Sequence, residues 1–168
     1  MVEQTGVRFE LTVDGEKQLD RALSRFGEHL GDLSPFFEEV ANLLTDIVEA
    51  QFSEQGGRTG QWQSLSPQYA KWKARIFPGQ PILVATGRMR ESLIGRTGDS
   101  IREISSNEMR WGSSVRTGRG APYPVFHQRG GDTLPQRKII DLTEEDREAI
   151  MKMLQRFLIG DPEEFYGD

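Results

Sequence analysis

No cysteine occurs in the 168 residues. Disulfides, thiol nucleophiles and cysteine-ligated zinc are therefore excluded, and the composition fits a chain made and kept in a reducing cytosol. Histidine is scarce as well: His29 and His127 stand far apart and form no H-E-x-x-H motif. A two-histidine metal site would also need a carboxylate to converge on it, and nothing local supplies one. The sequence has no G-x-x-x-x-G-K-[ST] loop for a triphosphate and no G-x-S-x-G elbow for a nucleophilic serine. The acid pairs Glu38–Glu39 and Glu163–Glu164 read as solvated surface rather than glycosidase machinery. Long apolar runs are missing too. "ILVA" (82–85) is the longest, far too short to cross a bilayer. The opening "MVEQTGVRFE" lacks the basic start and apolar stretch of a signal peptide.

Charge is present in quantity and unevenly placed. Residues 1–57 carry 4 basic and 12 acidic side chains, a net of −8. Residues 58–138 carry 14 and 5, a net of +9, and residues 139–168 carry 3 and 9, a net of −6. Three readings follow: cancellation within the fold, complementary faces between subunits, or a nucleic-acid-binding middle. The acidic total of −5 weighs against the last.

Periodicity sketches an α+β fold, a small and mostly antiparallel sheet packed against two or three helices, with a long exposed loop. "VRFELTV" (7–13) alternates as a half-buried strand, and "DG" (14–15) turns the chain. Leu19, Ala22, Leu23, Phe26 and Leu30 recur at helical spacing over 16–30. His29, at the end of the polar face, reads as a solvated residue favoured by the helix dipole. Ser34 as N-cap and Pro35 as first residue then open a long buried helix that "GG" (56–57) ends. A glycine-rich loop leads to a second Ser-Pro start at Ser66 and Pro67. "ILVATGRMRESL" (82–93) reads as a short strand or core segment and then a brief helix capped by Thr86. "SIREIS" (100–105) and "EMRWGSS" (108–114) make two strands around a tip at 106–107. "VRTGRGAPYP" (115–124) reads as an exposed, mobile loop. Thr143 caps a last helix whose acidic first turn suits the dipole. The acidic tail, 160–168, is expected to be flexible.

In "YPVFHQRGG" (123–131) the histidine sits among apolar residues, and Gly130 and Gly131 allow a tight turn. A catalytic histidine needs a reacting group and an orienting partner; Asp132 is the nearest acid, across two glycines. A role in shaping a turn or meeting a neighbour fits the pattern better than chemistry.

In order along the chain, "QFSEQGGRTGQWQSLSPQYAKWK", "ILVATGRMRESL", "WGSS", "YPVFHQRGG" and "LPQRKIIDLTEED" resemble the tailed-phage virion morphogenesis family, over roughly residues 36–158. Pro124 stands where a small alanine is common, and "RKII" replaces an arginine-proline-aromatic-leucine ending. The resemblance implies one tail-completion domain over 1–168, with 1–30 a variable N-terminal part. It implies a non-enzymatic structural subunit of the virion neck or tail top that completes the tail and joins it to the head. Such a subunit is assembled in the host cytoplasm as a homo-oligomer, a hexameric ring touching other neck and tail proteins. DNA would pass through without specific binding, and no cofactor, metal or membrane is implied. Motif positions expected to be structural are Trp62, Leu65, Tyr69, Lys73, Thr86, Gly87, Gly112, Gly130 and Pro135. Candidates for assembly contacts are Arg116, Arg119, Tyr123, His127, Gln128, Arg129 and Arg137. The rival is a nucleic-acid module that uses the basic middle with Trp62, Trp72 and Trp111 as stacking residues.

Overall fold

A computed structural model describes residues 16–159. The expected strand at 7–13, its turn and the 160–168 tail lie outside the described residues. The fold is α+β. In chain order it has α1 (Glu16–Gly31), α2 (Ser34–Ser53), α3 (Pro67–Ile76), α4 (Arg88–Leu93), β1 (Ser100–Ile104), β2 (Met109–Ser113), α5 (Tyr123–Arg129) and α6 (Glu144–Ile159).

The central element is α2. Its buried positions Phe36, Val40, Ile47 and Gln51 recur at four- and seven-residue intervals, with Ala41, Val48 and Phe52 beside them, so one broad face is dry. Leu33, rather than Ser34, occupies the N-cap position and gives no side-chain cap. Asp32 supplies the missing acceptor, taking the Ser34 N–H at 2.9 Å. At the other end the Gly56 N–H returns to the Gln51 carbonyl at 2.9 Å. Gly56 has φ +92, and a Cβ there would stand 2.5 Å from Trp62 Cδ1. The helix thus stops where an indole must lie flat against the backbone.

Around that end gather Val48, Phe52, Trp62, Met89, Leu93, Ile94, Val115 and Ile139, the main apolar core. Burying each large aliphatic contributes roughly 1.5–3 kcal/mol. Phe52 meets Trp62 edge-on, with ring centroids 5.4 Å apart. The 82–85 segment packs on this cluster without forming a strand. Leu83 instead has φ +62, an uncommon conformation for a residue with a Cβ. Gly87, not Thr86, is the N-cap of α4; Thr86 Oγ1 accepts only a long bond, 3.5 Å, from Arg88 N–H.

The two strands pair antiparallel, with Ser100 opposite Ser113 and Ile104 opposite Met109. Each is shorter than the alternation suggests, and Ser105 N–H bonds Glu108 carbonyl at 2.9 Å to close the tip. Arg102 ties this hairpin to α2 through Glu38 and Asn42. Thr143 caps α6 as expected, and Asp146 completes a reciprocal box. Asp146 N–H donates to Thr143 Oγ1 at 3.2 Å, and Thr143 N–H to Asp146 Oδ2 at 2.8 Å.

Two further expectations change. Tyr123–Arg129 is a short helix, so the exposed loop ends earlier than the sequence suggested. His29 is not solvated: it is partly buried and stacks on Phe157 of α6 at 4.6 Å, and its Nδ1 is buried without a hydrogen-bond partner among the described residues.

Candidate functional site

Two short helices, α3 and α5, face each other across a groove of about 930 Å³. Helix α3 begins at Pro67, and Ser66 Oγ accepts the Tyr69 N–H at 3.4 Å. Tyr69 and Lys73, four residues apart, then share a face and line the groove. Tyr123 and His127 repeat that spacing on α5 and line the opposite wall. Leu83, Val84 and Met89 contribute an apolar side, and Thr133, Leu134, Pro135 and Arg137 a further wall.

The chain reaches that last wall through a turn that only glycine permits. Gly130 has φ +70, and a Cβ there would meet Gln136 N at 2.8 Å and its Cα at 2.9 Å. Gly131 and Leu134 exchange backbone bonds of 2.8 and 3.2 Å, and Arg137 N–H then donates to the His127 carbonyl at 2.8 Å. Among the described residues no strand pairs with the returning segment. Side chains do so instead: Gln128 accepts from Ile139 N–H at 2.8 Å and Ile140 N–H at 3.1 Å, and donates to Ile140 carbonyl at 2.7 Å. Trp62 Nε1 and Gln51 Nε2 both donate to the Lys138 carbonyl, each at 2.9 Å. Three polar side chains thereby replace a neighbouring strand.

A profile described as the phage virion morphogenesis family matches residues 14–159. The chain belongs to that family. Neither the curated proteins nor the solved structures yielded a match.

In this virion morphogenesis protein, seven of the residues singled out from sequence converge on the groove: Leu65, Tyr69, Lys73, Tyr123, His127, Pro135 and Arg137. Arg137, expected to meet a neighbour, is only 4% exposed. Its Nε donates to Gln63 carbonyl at 3.0 Å and a terminal nitrogen to Ser64 carbonyl at 3.4 Å, pinning the loop before α3. Lys73 is 5% exposed and donates to the Pro81 carbonyl. Burial pushes its ammonium below the ordinary lysine range, and the charge of Arg137 pushes it further. The His127 imidazole is held below its ordinary range by burial and then by the charge of Arg137, both of which disfavour its charged form. Its Nδ1 is buried with no hydrogen-bond partner among the described residues, and Asp132 is exposed and outside the groove. The Tyr123 phenol is raised, mainly by burial.

Other singled-out residues lie elsewhere. Trp62 is in the core, Gly112 is in β2 opposite Ile101, and Gln128 binds the 139–140 backbone. Arg116, Arg119 and Arg129 are exposed, and Arg116 donates to the Gly120 carbonyl at 2.9 Å. The basic middle is partly balanced inside the chain. Arg58 meets Asp146 at 2.7 Å, Arg96 meets Glu49 at 3.5 Å, and Arg102 meets Glu38. Sequence reasoning missed Gln51, Leu83 and the Arg58–Asp146 pair. Only Asp146 carried a legible signal, standing three residues after a capping threonine. Among the described residues no group of three or more histidines and acids could hold a metal, and no helix is long and apolar enough to cross a membrane.

Proposed function

We propose that this protein is a non-enzymatic subunit of the virion neck, forming a hexameric ring that completes the tail and joins it to the head. Family membership supplies the coarse role, a part in building the phage virion. The finer reading is carried by one observation: the motif residues build an open groove flanked by exposed apolar side chains rather than a closed reaction pocket. Tyr69, Trp72 and Ile76 on α3, and Val125 and Phe126 on α5, all remain exposed. Such a surface suits a neighbour, and a ring is made when one surface meets a different one on the next copy.

The nucleic-acid alternative draws less support. Trp62 is buried, Trp111 is half-buried, and Trp72 already stacks on Tyr69 at 5.2 Å. Disrupting the gene in a phage tests the proposal. Unjoined heads and tails are expected to accumulate, with normal particles restored by complementation. Joined, infectious particles without the protein would overturn it. Duplex-DNA binding that weakens steeply with salt would favour the alternative.

A further inference from the structure

The groove holds positive charge that nothing along its walls balances. Lys73 and Arg137 are both more than nine-tenths buried, and their hydrogen bonds go to backbone carbonyls. Among the described residues no aspartate or glutamate lines the cavity. Arg58 offers a contrast: it is less buried, yet it is paired to Asp146. Carbonyls satisfy the donors but carry no countercharge, so a carboxylate entering the groove would gain more here than at an exposed lysine. The mutual repulsion of Lys73 and Arg137 points the same way. Leu65, Leu83 and Leu134 add apolar wall, and the volume suits a short peptide rather than a lone ion.

We propose that the groove receives residues 160–168 of a second copy of this chain. That segment, "GDPEEFYGD", carries four acids and no base, with Phe165 and Tyr166 to fill the apolar part. The geometry favours a neighbour's tail over the chain's own. Phe157 packs near the start of α2, against Phe36, whereas the groove wall is tied to the end of α2 through Gln51 and Trp62. Phe36 and Phe52 lie about 24 Å apart along the helix. Glu163 and Glu164 reach at most about 13–18 Å from Ile159, less than the separation of the two ends of α2. A head-to-tail arrangement, each tail in the next groove, closes a ring. This inference rests on the self-assembly part of the proposed function.

The test uses the full chain with a photoreactive phenylalanine analogue in place of Phe165, mixed with isotopically heavy copies. Cross-links from one copy to 65–73 or 134–137 of another are expected. The double variant Glu163→Lys, Glu164→Lys should weaken self-association by about tenfold or more, since it places like charges together. Cross-links confined to one copy, or falling elsewhere on an intact oligomer, would overturn the groove proposal and leave the ring standing. A chain that stays monomeric would overturn both.

Discussion

At the C-terminal end of α2, Gln51 and Trp62 both donate to the Lys138 carbonyl beneath a dry core. At its N-terminal end, Phe36 meets Phe157 through a ring contact, centroids 6.2 Å apart, amid surface ion pairs such as Arg156–Glu39 at 3.1 Å. Leu23, Phe26 and Leu30 on α1, and Met151 and Ile159 on α6, stay exposed at the α1–α6 flank. One end combines burial with directional bonds that fix a neighbouring segment in place. The other holds its neighbours by apolar contact, by the bond of Leu33 N–H to the Ser106 carbonyl at 2.8 Å, and by exposed charged pairs that water screens. The groove is built off the first end, so its shape depends on the most constrained part of the molecule.

The sharpest way to break this contrast is Trp62→Ala. It removes a buried ring and a bond to Lys138, and should cost about 3–5 kcal/mol in urea unfolding. Gly130→Ala comes next. It forces a Cβ against Gln136 at a left-handed φ, for a loss of about 1–3 kcal/mol, and should loosen the 131–140 segment in hydrogen exchange.

Acid should act through two groups, both near the constrained end. His127 is held below the ordinary imidazole value of 6.5, so the unfolded chain binds more protons over the interval between the two values. Stability should therefore fall as pH drops below about 6.5, and levels off once pH passes the folded value. His127→Gln should flatten that slope in unfolding midpoints measured across the range. Asp146 acts lower. Burial alone would raise its carboxyl, but hydrogen bonds from Arg58 and Thr143 hold it below the ordinary 3.8. Its contribution is present above that value and is lost as pH falls through the folded one. The smallest effect belongs to the other end of α2: Arg156→Ala should cost under about 1 kcal/mol and shrink further in salt.

How much was legible depended on how local each cause is. The spacing of Phe37, Val40, Leu44, Ile47 and Val48 announces α2, and "SN" between two short strand-like segments announces the hairpin. Thr143 with its acidic first turn announces α6. The seven residues of α5 are too few to show a period, and the helix is fixed by Gly130 and by the bonds of Gln128 to a segment eleven residues on. Resemblance pointed to Tyr69, Lys73, Tyr123 and His127, and the structure brings them to one groove. It could not reveal the buried state of Arg137, because net charge summed over 58–138 does not distinguish an arginine facing Asp146 from one facing carbonyls.

The most direct measurement is a cryo-electron map of the virion neck. The account predicts a ring of this chain with a peptide segment seated between α3 and α5, next to Lys73 and Arg137. A neck without this protein, or a ring whose grooves open onto solvent, would contradict it.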